Sequence, residues 1–242
     1  MRLWRITLND VRYQIRYGFY LIYAILTLLY ALVLNLIGDA QARGLAAALI
    51  LLSDPAVLGF FFIGGIWLLE KDEDLHSYAT ITPQRSAEYV LGKALSLGLV
   101  STLSSTAIGL AALPGANLLL LAAAVLLASG VFTLLGLALA TWAKSVNGYM
   151  LLSVVPAVVL LTPAILTAFG VEHFLFEGFP GTLALRLILD ALAGTRPAGQ
   201  VALGFAELLG WLAVFFALAT RAVRREFHPK PDMGGHTDAA NP

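Results

Sequence analysis

EKDEDLHSYATITPQRSAEYVLGK, residues 70–93, separates two apolar runs near 47–69 and 92–113. Glu70, Lys71, Asp72, Glu73 and Asp74 place five charges side by side. Each would cost about 2.5–3.5 kcal/mol at the centre of a membrane helix, so the stretch must end one apolar element and precede another. The flanking runs have the roughly 20 residues a helix needs to cross a bilayer. Of the 242 residues, 59% are hydrophobic and only 12% charged, about half the charged share of a soluble domain. The expected fold is therefore an all-α integral membrane protein.

Working outward, six transmembrane helices are expected near 18–38, 47–69, 92–113, 118–141, 149–169 and 200–220. The first run, about Phe19 to Ile37, is longer than the apolar core of a signal peptide and is expected to be retained as a span. Pro114-Gly115-Ala116-Asn117 reads as a tight turn that makes spans three and four a hairpin. Ahead of the spans, Trp4, Leu8, Val11 and Ile15 form one helical stripe, while Arg5, Asn9, Arg12 and Arg16 form another. Residues 1–17 thus read as an amphipathic interfacial helix in contact with membrane lipid. Residues 18–226 form the six-span domain. The tail, 227–242, is rich in Pro, Gly, Asp and His and reads as disordered. In the segment 170–199, Pro180-Gly181 opens a short helix from Thr182 to about Ala193, with Arg186 and Asp190 four apart on one side. It reads as a re-entrant or interfacial helix between spans five and six.

All but Arg43, Arg186 and Arg196 of the 15 basic residues fall on one side of this topology. The bias of Lys and Arg toward the cytoplasm then puts both termini inside, with 70–91 cytoplasmic and 170–199 outside. Trp67, Trp142 and Tyr149 are expected at inner span ends as an interfacial belt. Small residues at Ser101, Ser105 and Gly109, and at Gly136 and Ala140, offer close-packing faces, within one chain or between two.

Several chemistries are missing. Gly92-Lys93 lacks a Walker loop, because Ala87 and Ala94 break GxxxxGK[ST] at both ends, so no ATP hydrolysis is expected on this chain. His76, His173, His228 and His236 lack metal-ligand spacing, and no cofactor is expected to bind. With no cysteine, disulfides and thiolate sites are excluded. A net charge of zero offers no field for nucleic acid. A catalytic role as a membrane enzyme or assembly factor has no motif behind it.

What remains is the segment itself. A bare turn needs only a few residues, whereas here Leu75, Tyr78, Ala79 and Thr82 recur at helical spacing before Thr82-Pro83 breaks the pattern. It reads either as a solvated loop or as a short surface helix able to transmit a push. Glu207 stands out as the one acid well inside a span, either a functional group for a cationic or zwitterionic cargo or a structural hydrogen-bond partner.

The segment resembles that of ABC-2 type transporter permeases, E-R-E-R-G-T-L-E-x-L-x-x-T-P-x-x-x-x-E-x-x-L-G-K. Glu70, the charged run 71–74, Thr82-Pro83, Glu88 and Leu91-Gly92-Lys93 match without a gap. Within that family the chain is most similar to fluoroquinolone-export-type permease subunits, whose Arg-Tyr-Gly-Phe-Tyr and Glu-Lys-Asp-Glu runs appear here at Arg16–Tyr20 and Glu70–Glu73. Asp74-Leu75-His76-Ser77 departs from the family's Gly-Thr-Leu-Glu. The resemblance implies a multi-pass subunit of a bacterial or archaeal plasma-membrane exporter of small amphipathic or drug-like molecules. It implies two permease chains, a homodimer or a paralogous heterodimer, with two copies of a cytoplasmic ABC ATPase that binds ATP and Mg. It further implies coupling through Glu70, Asp72, Glu73, Asp74, Leu75, Tyr78, Thr82 and Pro83, and outer helices that cap the pathway; Glu207, with Arg186 as a basic partner, and Asp190 are the candidate residues of that pathway from their own placement. Lipid, glycan or haem export is the alternative cargo class.

Overall fold

The computed structural model describes residues 2–75, 85–194 and 196–227. Among these the chain is helical, with no strand, and six helical segments are long and apolar enough to cross a membrane. The chain is an all-α membrane protein with six spans.

The first helix, α1 (Arg2–Arg16), ends at Tyr17-Gly18, where Gly18 adopts φ 79° and turns the chain into α2 (Phe19–Leu36). A left-handed backbone there suits a residue without Cβ. On α1 the expected apolar stripe divides: Trp4 and Ile15 are exposed, whereas Leu8 and Val11 are half-buried. Its polar residues divide: Arg5, Asn9, Arg12 and Arg16 are exposed, whereas Thr7 and Gln14 are buried against the protein.

The second span is a composite of α3 (Ala40–Ser53), a π-helical turn over Asp54–Gly59 and α4 (Phe60–Asp72). Asp39 caps α3 by accepting from the Ala42 N–H at 2.7 Å. The widened turn sits at Pro55, which has no N–H to donate and whose ring would collide with the preceding turn of a regular helix. The span therefore begins several residues earlier than the apolar run suggests. Next, α5 (Ser86–Ala112) and α6 (Leu118–Ala140) form the expected hairpin, turning at Gly115 with φ 94°. Asn117 caps α6 by accepting from Leu120 N–H at 3.1 Å. The small-residue faces serve contacts within the chain: Ser101, Ser105, Gly109, Gly136 and Ala140 are all buried.

The fifth span is α7 (Val146–Ala168), followed by the short α8 (Phe174–Glu177), by α9 (Pro180–Ala193) and by the last span, α10 (Ala198–Phe227). Two contacts fix the path between the last two spans. The Trp211 indole N–H donates to the Gly178 carbonyl at 2.8 Å, and Trp211 lies about 20 Å along α10 from its start. At the other end of α9, the Ala191 carbonyl accepts from Asn117 N–H at 2.7 Å in the α5–α6 turn. These two contacts hold the chain between the last two spans against α10 at one end of α9 and against the α5–α6 turn at the other. Most of α9 is buried.

The core lies along α6 and the composite second span. Trp67 and Tyr149, expected in an interfacial belt, are core residues at 0% and 1% exposure, while Trp142 is exposed. Tyr149 donates to the Phe60 carbonyl at 2.6 Å, just past the π-helical turn. Its ring occupies the space over Gly64, where a Cβ would fall 2.0 Å from the ring. Gly64→Ala should therefore destabilise the protein by about 1–3 kcal/mol through overpacking, visible as a lower melting temperature in detergent. The adjacent Gly65→Ala, with open space at its Cβ, should leave melting unchanged.

Candidate functional site

Two groups of polar side chains lie at opposite ends of the bundle. The first surrounds Lys93, the last residue of the segment quoted above. Glu70 closes α4 and Lys93 lies two turns into α5, so the segment leaves and re-enters the bundle at one point. There the Lys93 ammonium pairs with Glu70 Oε1 and with Asp10 Oδ1 of α1 at 2.7 Å. The Tyr89 hydroxyl donates to Glu70 Oε2 at 2.5 Å. Lys93 is 1% exposed, and its Nζ also lies 5.1 Å from the Tyr89 ring centroid and 5.9 Å from that of Tyr13. Gln14 of α1 donates to Ser96 Oγ at 2.8 Å. The Gly92 position leaves room for α1, since a Cβ there would come 2.7 Å from Ile6 and 3.2 Å from Asp10 Oδ2. The Leu-Gly-Lys ending thus has a local physical meaning: Gly92 admits α1 and Lys93 ties it down.

Other contacts extend this corner. Glu73 accepts from Tyr13 at 3.3 Å and from Tyr17. Burial, and then the nearby Glu70 carboxylate, push the Tyr13 hydroxyl well above its ordinary range, so it remains a donor. Burial also raises the Asp10 carboxyl, with the Lys93 ammonium offsetting part of that rise. Phe227, at the end of α10, stacks on Trp67 with centroids 6.1 Å apart and meets Tyr89 edge-on at 5.4 Å. Lys71 pairs with Glu226 at 2.5 Å. This pair is partly exposed and adds little stability, but it joins α4 to the end of α10.

The residues expected to couple to a partner fall into three groups. Glu70 is 6% exposed and belongs to the buried cluster, not to the surface. Asp72, Glu73, Asp74 and Leu75 are exposed. Asp74 has φ 56°, a left-handed conformation that aspartate tolerates better than most residues. Tyr78, Thr82 and Pro83 lie outside the described residues.

The second group lines a cavity of about 750 Å³ between α8–α9 and α10, a volume suited to a small molecule. Glu177, Arg186, Arg196 and Glu207 contribute charge, and Trp211, Leu203 and Val214 contribute apolar surface. Arg186 and Asp190 do not meet. Asp190 is buried and held by Arg196, Nε at 2.8 Å and Nη2 at 2.5 Å from Oδ2. Arg186 reaches Glu177 at 3.5 Å. Glu207 is exposed to the cavity and carries no hydrogen bond or ion pair among the described residues.

Sequence reasoning missed Asp10, Tyr13 and Tyr89, although Asp10 is the only acid in α1. It also overlooked Asp54: Glu207 is not the one acid within a span, because Asp54 lies in the second and is 1% exposed. The signal was present as Asp54-Pro55 inside an apolar run.

Removing one partner from a buried ion pair strands the others and costs about 3–5 kcal/mol. Lys93→Met should therefore lower the melting temperature sharply. Lys71→Met, at the exposed pair, should change it little. Equal melting of the two variants would remove Lys93 from its central place.

No family model matches the chain. The fluoroquinolones export permease proteins of two strains of Mycobacterium tuberculosis are each 31% identical to it over 128 residues, covering 51% of this chain and 52% of theirs. The chain thus spans about half the length of the curated relatives it matches. Over about half its length the chain is therefore similar to proteins named as export permeases.

Proposed function

We propose that this chain is the membrane-spanning permease subunit of an ABC-2 type exporter that moves a small amphipathic or drug-like molecule out of the cell. In this reading both termini face the cytoplasm, and a separate ABC ATPase hydrolyses ATP. Two permease chains pair with two ATPase subunits. The relatives named as export permeases support the reading. The observation that carries it is the clamp at Lys93. A cytoplasmic segment whose two ends are tied together by Glu70 and Lys93 cannot be displaced alone. A push on residues 71–88 would reach α4 and α5 through that pair, α1 through Asp10, and α10 through Phe227 and Glu226.

Within the segment, Asp72 and Asp74 are the exposed acids for a basic surface on the ATPase, whereas Glu73 is engaged by two tyrosines. The cavity at Glu207 is the place for cargo on the outer side. Arg186 and Glu207 offer opposite charges, and Trp211 offers a flat apolar face, a combination that suits a zwitterionic amphiphile.

Two measurements test this reading. The double variant Asp72→Lys, Asp74→Asn keeps a residue compatible with the left-handed backbone at 74. It should melt like the wild type but lose most of its co-purification with an ABC ATPase encoded beside it; undiminished co-purification would overturn the coupling assignment. In proteoliposomes holding both subunits, amphipathic drugs should stimulate ATP hydrolysis. Glu207→Gln should raise the half-maximal concentration of zwitterionic drugs about tenfold, which corresponds to about 1.4 kcal/mol, without changing that of neutral ones.

A further inference from the structure

Asp54 has no role in either site described above. It lies at the start of the π-helical turn in the second span and is 1% exposed. Neither carboxyl oxygen has a hydrogen-bond partner of normal geometry among the described residues. The polar groups near it are hydroxyls. The Ser104 hydroxyl of α5 stands within interacting distance. Ser104 is linked to Thr27 of α2 at 2.7 Å, and Ser101 to Tyr23 at 3.3 Å. The Ser105 hydroxyl is fully buried beside them and has no partner of its own.

The elements packed around the turn hold no cation close enough to balance a charge. On α3 the only basic residue is Arg43, eleven residues before Asp54, and it is engaged with the Ile37 carbonyl. On α5 the only one is Lys93, eleven residues before Ser104 and held by Asp10 and Glu70. Eleven residues of helix span about 16 Å. On α4 the charged residues, Glu70, Lys71 and Asp72, close the far end of the helix, and α6 has no titratable side chain. On α7 the titratable side chain is Tyr149, whose hydroxyl is committed to Phe60. The titratable group on α2 that faces Asp54 is Tyr23. An ionised carboxylate left without a counter-charge in a membrane interior costs several kcal/mol.

The site also has a route to its surroundings. A cavity of about 390 Å³ opens between α2 and α5, lined by Tyr20, Tyr23, Thr27 and Ser104 among others. Ser104, whose hydroxyl stands beside Asp54, is one of its lining residues. A π-helical turn is a frequent mark of functional sites, and here it begins at Asp54 itself.

We propose that Asp54 is a proton-binding site in the membrane interior, occupied in this conformation and exchanging its proton through the Ser104–Thr27 hydroxyls when α2 and α5 part. The step is a plain acid–base equilibrium: the carboxylate takes one proton from water reaching Ser104 and returns it by the same route. The proposal does not depend on the exporter reading, and its test needs neither cargo nor ATPase.

The test is infrared spectroscopy on the full chain in lipid nanodiscs at neutral pH. Wild type should show a carbonyl stretch of a protonated carboxyl that is absent from Asp54→Asn and retained, shifted in frequency, in Asp54→Glu. The neutral amide should fold as well as the neutral acid it replaces. Should Asp54→Asn fail to fold, wild type labelled with ¹³C-aspartate against Asp54→Glu carrying the same label makes the same comparison. A difference spectrum holding only carboxylate bands at Asp54 would overturn the proposal, as would carboxylate bands that respond to sodium.

Discussion

A single buried ammonium organises the end of the bundle that carries α1. Lys93 is 1% exposed and sits between two carboxylates from different elements, Asp10 and Glu70. Taking that charge out of water is unfavourable by several kcal/mol, and the partners offset this only while all are in place. The cluster is thus a condition on the fold more than a source of stability. It requires α1 to lie against the start of α5, and α4 to end where α5 begins. It also explains why the polar residues of α1 are split between solvent and protein. Asp10 and Gln14 belong to the tether, the arginines to the aqueous face, and Trp4 and Ile15 to lipid. A helix read as lying at the interface is tied to the bundle by Asp10, Gln14 and Tyr13.

The opposite end follows a different rule. There the chain between α7 and α10 is held by backbone groups that find side-chain and backbone partners, as segments packed among membrane helices require. Trp211 serves the Gly178 carbonyl just before α9, and Asn117 serves the Ala191 carbonyl at the far end of α9. Arg196 neutralises the buried Asp190. Glu207 is left over, facing the cavity, and this distinguishes it from the structural acids nearby.

Spans, their number, the α5–α6 turn and the short helix opened by Pro180 were legible from hydropathy, proline and glycine, because these follow from local composition. The pairings were not. Arg186 and Asp190 at i and i+4 met the spacing rule for a helix pair, yet Asp190 found Arg196 beyond the helix end. Spacing gives only the face of a helix, and the tertiary neighbour decides the partner. Glu70 looked like part of an exposed acidic run because its four successors are exposed; a single turn of helix separates core from surface there. Trp67 and Tyr149 looked interfacial from their place in the spans, but a ring of that size is drawn inward where glycines such as Gly64 leave a hollow. Asp54 was visible as a residue type and was overlooked because a charge within a longer apolar run shifts the average hydropathy little.

Span three connects the two halves of this picture. Lys93, Ser96, Ser101, Ser104 and Ser105 are all buried along α5. They carry polar groups from the ion cluster into the middle of the membrane. Apolar faces slide over one another with little preference for register. Hydroxyls and charges do not, because a displaced group must find a new partner or stay unpaired in a medium of low dielectric. Ser96 is fixed to α1 through Gln14, and Ser101 and Ser104 to α2 through Tyr23 and Thr27. A helix held in this way is in fixed register with α1 and α2. The same row of buried polar groups therefore links the ion cluster at Lys93 to the hydroxyls beside Asp54 through one helix.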